Sequence, residues 1–350
     1  MIKLFTILLA LHFLYFAPFV ANFVFSSFPV HEKGVILVTG ASSGIGYSAA
    51  AALAGAGYRV FCGVRSKKDF ERLRNGPASL TPLILDVTKP IQVDSAVQAV
   101  EAFAHENKLP IVALINNAGV SRELPLELQP MQNIEYVYGV NTFGLLRMTK
   151  AFIPLVRESK GRIINIGSVA GLLATAGAST YAGTKHALEG ISDALRRELY
   201  HADVSVSLVE PAFVKSKIFE KSMKQHDPVA KLSKEEYDLY SVHFRNRAMI
   251  GEANVVNASP TSVTDKAILH AVTSQRPFTR YVVANVQGIP AEILTKAFWL
   301  LPDRLTDFIL YQSTKGASAV SLFGGVIGVL SALLYAIIHS LQAVNALLTY

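Results

Sequence analysis

Cysteine is all but missing from this 350-residue chain: Cys62 stands alone, which excludes an intramolecular disulfide. Flanked by Val60, Phe61 and Val64, it reads as a buried strand residue with no thiol chemistry. The formal net charge of +7 has no basic run behind it, and no zinc-finger or RNA-module signature is present. The charge is therefore read as a solvated surface suited to anionic lipid, not as a nucleic-acid footprint. No metal site is expected. Internal repeats and low-complexity segments are lacking too.

Charge is scarce at both ends. Ile2 to Phe28 carries one lysine, Lys3, and no acid, and Ala317 to Tyr350 carries no Lys, Arg, Asp or Glu. These stretches account for the mean hydropathy of +0.34, high for a soluble enzyme. Crossing a bilayer takes roughly 20 apolar residues in a helix, and Ala319 to Ile338 supplies them, with Ser321, Gly324, Gly328 and Ala332 forming a small-residue face. Residues 1–30 are expected to be an uncleaved membrane anchor, the competing reading being a cleaved signal peptide. Residues 317–350 are expected to be a second membrane segment, against a core helix or surface-lying tail. Lys33, Arg304 and Lys315 flank these segments on the domain side, against Lys3 outside. The positive-inside rule then puts the domain in the cytosol, and the endoplasmic reticulum is the expected membrane.

Between the ends, residues 31–316, short apolar runs alternate with helical patterns. Val35–Val38, Tyr58–Val64, Leu83–Leu85, Ile111–Ile115, Arg162–Ile166, Val204–Val209 and Tyr281–Val283 read as strands. Ser48–Ala56, Gln92–His105, Ile134–Arg157 and Ala182–Leu199 read as helices. Near-continuous apolar strands joined by helices argue an α/β fold with a parallel sheet covered on both faces. The stretch 213–257 is too long for a turn. Its Phe219, Met223, Tyr237, Tyr240, Phe244 and Met249 read as a partly helical lid over an apolar pocket, or as a helical pair packed on the core. Trp299 is expected in the core or on a membrane-facing surface.

The first strand runs into Thr39-Gly40-Ala41-Ser42-Ser43-Gly44-Ile45-Gly46 and then a helix. Glycines at that turn permit a tight bend and close approach of a pyrophosphate to the helix N-terminus, so a dinucleotide cofactor is expected. The second strand ends at Gly63-Val64-Arg65-Ser66, without the acid that would hold a ribose 2′-hydroxyl. Arg65 is suited to a 2′-phosphate, with Lys67 and Lys68 nearby, unless it is an ordinary surface arginine. NADP(H) is therefore preferred, with NAD(H) as the alternative. Asp86 and Val87 at the third strand, Asn116-Asn117-Ala118-Gly119 at the fourth and Ser168 at the fifth occupy the carboxyl ends that line the ligand crevice of such sheets.

Tyr181 and Lys185 form an i, i+4 pair on the helix after the fifth strand. A nearby cation stabilises a phenolate. Bringing a phenol from about 10 to about 7 takes roughly 4 kcal/mol, more than one exposed ion pair gives, so a desolvated cleft and a second positive charge are needed as well.

Thr39 to Gly46, Asn116 to Gly119, Ser168 and Tyr181-x-x-x-Lys185 together resemble the short-chain dehydrogenase/reductase family over Lys33 to Phe219. Arg147–Pro154, Gly161–Gly171 and His186–Leu199 are most similar to its retinol and hydroxysteroid dehydrogenase branch. The resemblance implies a Rossmann-type doubly wound sheet of about seven strands. It implies that Tyr181 is the general acid/base, that Lys185 lowers its pKa and holds the nicotinamide ribose, and that Ser168 hydrogen-bonds the reacting oxygen. Asn141 would anchor a water that relays protons to Lys185. The dinucleotide would contact Gly40, Ser42, Ser43, Gly44, Ile45, Gly46, Arg65, Asp86, Val87, Asn117 and Gly119, along with Tyr181 and Lys185. After the sixth strand the family's Pro-Gly is replaced by Pro211-Ala212 and its threonine by Ser216; Pro211, Val214 and Ser216 would still serve the cofactor side. The expected activity interconverts an alcohol and a ketone or aldehyde on a lipophilic substrate, a steroid, retinoid or keto-lipid, near a membrane. The chain could also form a homo-oligomer. NAD-linked retinol or hydroxysteroid oxidation and a catalytically idle membrane scaffold are the alternatives.

Overall fold

The computed structural model describes residues 27–215, 232–286 and 288–313, together with Gly324, Gly325 and Gly328. The apolar spans at residues 1–26 and 329–350, most of 314–328, and Ser216 with residues 217–231 lie outside these. Among the described residues no helix is long and apolar enough to cross a membrane.

Seven strands form one sheet in the order β3-β2-β1-β4-β5-β6-β7, every neighbour parallel. They are β1 (Val35–Val38), β2 (Arg59–Val64), β3 (Leu80–Ile84), β4 (Ile111–Asn116), β5 (Arg162–Ile166), β6 (Ser205–Pro211) and β7 (Arg280–Val283). Side chains alternate across the pleat. Ile36 and Val38 enter the core shared with helices α1 (Gly44–Gly55) and, after β6, a helix at Ser262–Thr273, whereas Val35 and Leu37 enter the other core, under Val100, Met148 and Phe152. This is the doubly wound order, and its crevice opens at the carboxyl ends of the strands.

The third strand starts earlier than expected, at Leu80, and ends at Ile84. Its parallel pairing with β2 begins at Val60↔Leu80 and includes Pro82. Proline interrupts an alternation pattern, but β3 is an edge strand, where a missing N–H costs no ladder bond. Asp86 and Val87 therefore sit in the exit loop.

After helices α2 (Lys67–Arg74) and α3 (Pro90–Glu106), the stretch expected as one helix over Ile134–Arg157 divides into α4 (Met131–Tyr138), a π-helical turn (Gly139–Gly144) and α5 (Leu145–Glu158). Such π turns recur at functional sites, and this one carries Asn141. Helix α6 spans Ser179–Leu199. Within 213–257, α7 (Lys234–Leu239) starts at a Ser233–Glu236 capping box and α8 (Ser241–Val256) follows. Phe244 is buried there, stacked on Tyr237 at 5.5 Å, and Tyr240 Oη donates to Glu127 Oε2 at 2.6 Å, tying this segment to the loop after β4. The Ser262–Thr273 helix is α9. A small antiparallel pair, β8 (Asn285–Val286) and β9 (Ile289–Pro290), leads into α10 (Ala291–Trp299) and α11 (Asp303–Ser313). Trp299 is not in the core: it is 84% exposed.

The segment entering β1 is fastened beneath the sheet. Phe28 N donates to Gln275 O at 2.8 Å, the buried Arg162 donates to Pro29 O and Ala271 O at 2.9 Å each, and Tyr58 Oη donates to His31 O at 2.7 Å.

Candidate active site

Gly40 and Gly44 have φ of +67° and +57°, left-handed values that suit glycine in the turn from β1 into α1. Gly46 is needed for a different reason: a Cβ there would lie 2.3 Å from Asn117 Nδ2 and 2.6 Å from Gly40 O. Asn117 itself donates to Thr39 O at 2.9 Å and Gly40 O at 3.2 Å, while Thr39 Oγ1 accepts from the amides of Asn117 and Ala118 at 3.0 and 2.9 Å. The exit of β4 thus clamps the glycine loop. Ser43 makes no side-chain cap bond and the first turn of α1 has no acid, so free amides and the positive end of the helix dipole face outward. Ile45 packs its side chain on the sheet core.

A cleft of about 220 Å³ opens above this loop, lined by Gly40, Ser42, Ser43, Arg65, Asp86, Val87, Asn117 and Gly119. All were expected there. Arg122, Tyr136 and Val140 line it too and were not foreseen. Arg65 donates to Tyr136 Oη at 2.9 Å, and the Arg122 guanidinium lies 4.5 Å from the centre of the same ring while bonding Asn133. Asp86 Oδ1 accepts from the Thr88 amide and hydroxyl at 2.9 and 2.7 Å. An uncapped helix N-terminus, left-handed glycines and a guanidinium at the rim fit a dinucleotide phosphate.

Ser168, Tyr181, Lys185 and Asn141 converge beside the cleft. Ser168 Oγ caps Ala170 N at 3.1 Å, reaches Pro211 O at 3.5 Å and is hydrogen-bonded to Tyr181. Lys185 Nζ lies 5.6 Å from the centre of the Tyr181 ring and donates to Ile166 O at 2.9 Å. Asn141 is buried. Its Oδ1 accepts from Val120 N at 2.8 Å, and its Nδ2 donates to Val120 O at 2.9 Å and Thr184 Oγ1 at 3.0 Å. Both amide protons are thereby engaged in joining the β4 exit to α6, so a water held here would have to use other groups. On the far side, Ala212 has no positive φ and donates its amide to Val283 O at 2.9 Å, so the departure from glycine carries no backbone strain. Val214 is buried and bridges to Ser259.

The electrostatics run against the expectation for Tyr181. Burial pushes its phenol up to about 12; the Ser168 hydrogen bond opposes this and the Glu123 carboxylate adds to it. Burial also brings Lys185 down to about 8. Among the protein's own groups, desolvation outweighs the help Lys185 was expected to give.

The profile of the short chain dehydrogenase family matches residues 34–227. The chain belongs to this family. It is an oxidoreductase whose class works on alcohols and carbonyls with NAD(P). A mitochondrial D-beta-hydroxybutyrate dehydrogenase from Bos taurus is 33% identical over 287 residues, covering 77% of this chain and 83% of that protein. An NADPH-dependent 3-dehydrocapnine reductase from Ornithobacterium rhinotracheale is 32% identical, covering 80% and 96%. Retinol dehydrogenase 7 from Rattus norvegicus is 32% identical, covering 81% and 90%. The crystal structure of a short chain dehydrogenase from Burkholderia cenocepacia J2315 in complex with NADP superposes with a TM-score of 0.59 at 24% identity, covering 78% and 96%.

Proposed function

We propose that this chain is an NADP(H)-dependent reductase or dehydrogenase of lipophilic alcohols and carbonyls, with Tyr181 as the general acid/base. The observation carrying this reading is the convergence of Ser168, Tyr181 and Lys185 beside a cleft floored by the glycine loop. When bound, the dinucleotide supplies or accepts the hydride and, oxidised, adds the second positive charge beside the phenol. Tyr181 passes a proton to or from the substrate oxygen while Ser168 holds that oxygen in place. Lys185, its ammonium held by Ile166 O, contributes charge 5.6 Å from the ring centre. Asn141 fixes the spacing between the β4 exit and α6.

Preference for the 2′-phosphate is supported by Arg65, a cleft residue with no acid at the end of β2 to compete for it. The NADPH-dependent relative agrees with that preference. A lipophilic substrate is supported by the apolar ends and by Trp299, Leu300, Phe308 and Tyr311, which expose their side chains on α10, α11 and the turn between them. In this reading residues 31–316 form the catalytic domain, 213–257 act as its substrate lid, and residues 1–30 and 317–350 hold it at the cytosolic face of the endoplasmic reticulum membrane. A homo-oligomer is compatible with it. Turnover of steroids, retinoids and keto-lipids with NADPH and NADH tests the proposal; a Tyr181→Phe variant as active as the wild type would overturn it.

A further inference from the structure

Glu189 follows Tyr181 and Lys185 at the next four-residue step along one face of α6. Glu210 lies on β6 immediately before Pro211 and is 0% exposed. The Glu189 carboxyl is close enough to Glu210 to raise its pKa, by its charge and by hydrogen bonding. Yet Glu189 Oε1 and both oxygens of Glu210 find no donor among the described protein groups. Two ionised carboxylates cannot bond each other, because each only accepts. A proton on one of them supplies the missing donor.

The charges around the pair agree. Arg280 on β7 is the cation facing it: Nε donates to Glu189 Oε2 at 3.0 Å, while Nη2 meets Asp193 Oδ1 at 3.0 Å. Asp193 also takes Arg196 at 2.8 Å, and Lys185 turns its ammonium to Ile166 O. Arg197 lies 3.9 Å from Asp193 as well, and Arg280, bonded to Glu189 and Asp193, gives Glu210 no hydrogen bond and lowers it by charge less than burial and Glu189 raise it. A buried unpaired carboxylate is costly enough to take up a proton instead.

The pair also touches the segment that carries Ser168. A Cβ on Gly171 would lie 3.0 Å from Glu189 Oε1, and one on Gly167 would lie 3.4 Å from Glu210 Cγ. Gly167 N donates to Val209 O at 2.7 Å, and Ser168 reaches Pro211 O, so this segment is held to β6 on either side of Glu210.

We propose that Glu189 and Glu210 share a single proton, and that the bond between them is a positioning device seating the Ser168 segment against β6. Burial and the Glu189 carboxylate push Glu210 up to about 9. Its raised value means that stability is greatest below the unfolded value of about 4.5 and is lost as pH rises toward about 9. Only the catalytic consequence rests on the acid/base reading of Tyr181; the shared proton is testable without turnover.

The test uses the full-length chain and its Glu210→Gln, Glu189→Gln and Glu210→Leu variants. Infrared spectra at neutral pH should show one protonated-carboxyl band that Glu210→Gln loses. The wild-type Tm should fall between about pH 4.5 and pH 9, and Glu210→Gln, whose amide is a permanent donor to Glu189, should flatten that fall. Amide exchange over Gly167–Gly171 should be roughly tenfold faster in Glu210→Leu, the change expected for one lost buried hydrogen bond, and near wild type in Glu210→Gln. A wild type without the band, a band that persists in Glu210→Gln, or equal exchange in Glu210→Leu and wild type overturns the proposal. If Glu210→Leu does not fold, the two glutamine variants and the infrared band decide the matter. Failure of Tyr181→Phe to lose turnover would refute the acid/base reading and leave the carboxyl band unaffected.

Discussion

On the β1 to β4 side of the cleft, main-chain groups form the site: left-handed glycines, the free amides of α1, and loop carbonyls clamped by Asn117 and Thr39. On the β5 to β7 side, side chains do the work, with Ser168, Tyr181 and Lys185 in a desolvated cluster and Glu189, Glu210 and Arg280 beneath. A backbone site tolerates almost any residue that leaves it room and fails when a Cβ intrudes. A side-chain site depends on individual functional groups and on how deeply each is buried. The first suits a phosphate common to every turnover, the second a reacting atom whose charge changes.

That contrast can be broken at four places. Replacing Tyr181 by Phe should lower kcat on the order of 10³-fold with NADPH affinity unchanged, as measured by steady-state kinetics and cofactor titration. Gly46→Ala should act in the opposite way. Its Cβ would be driven against Asn117 and Gly40 O, costing about 1 to 3 kcal/mol, seen as a lower Tm and weaker binding of both cofactors. Arg65→Ala should weaken NADPH about 10- to 100-fold and spare NADH, as read from the two dissociation constants; equal losses would undo the 2′-phosphate assignment. Tyr240→Phe, which removes a solvent-exposed tie to Glu127, should change KM by no more than about threefold.

A further measurement sharpens the electrostatic half of the comparison. Tyr181 sits at about 12 because burial prevails, and a positive charge placed beside a phenol lowers it. Its ultraviolet phenolate titration, identified by subtraction of Tyr181→Phe, should therefore move downward when oxidised NADP is added. No movement would remove the cofactor from the account of proton transfer.

Much of this was legible in the residues themselves. The βα repeat and the glycine loop follow from local patterns, so the parallel sheet and the cleft-lining set at Gly40, Arg65, Asp86 and Asn117 could be anticipated. Where local patterns misled, the cause was tertiary. Pro82 hid the start of β3 because only its edge position makes it harmless. Asn141's side-chain amide joins Val120 to Thr184 across distant elements, a bridge its sequence neighbourhood does not announce. Arg122 and Tyr136 meet Arg65 only through the folded chain, and nothing in their sequence neighbourhood announces it. The charge argument for Tyr181 counted a desolvated cleft as a help, whereas among the protein's own groups burial raises the phenol; the second positive charge it called for would come with a bound cofactor.

The fastening of residues 28–31 has a mechanical consequence. Gln275 precedes β7, Ser159 and Arg162 open β5, and Tyr58 precedes β2, so these moorings lie at the amino ends of the strands. The cleft lies at their carboxyl ends. A pull or torque arriving through the chain before Phe28 would be taken up by the guanidinium of Arg162 and the neighbouring carbonyls, a sheet's length away from Tyr181.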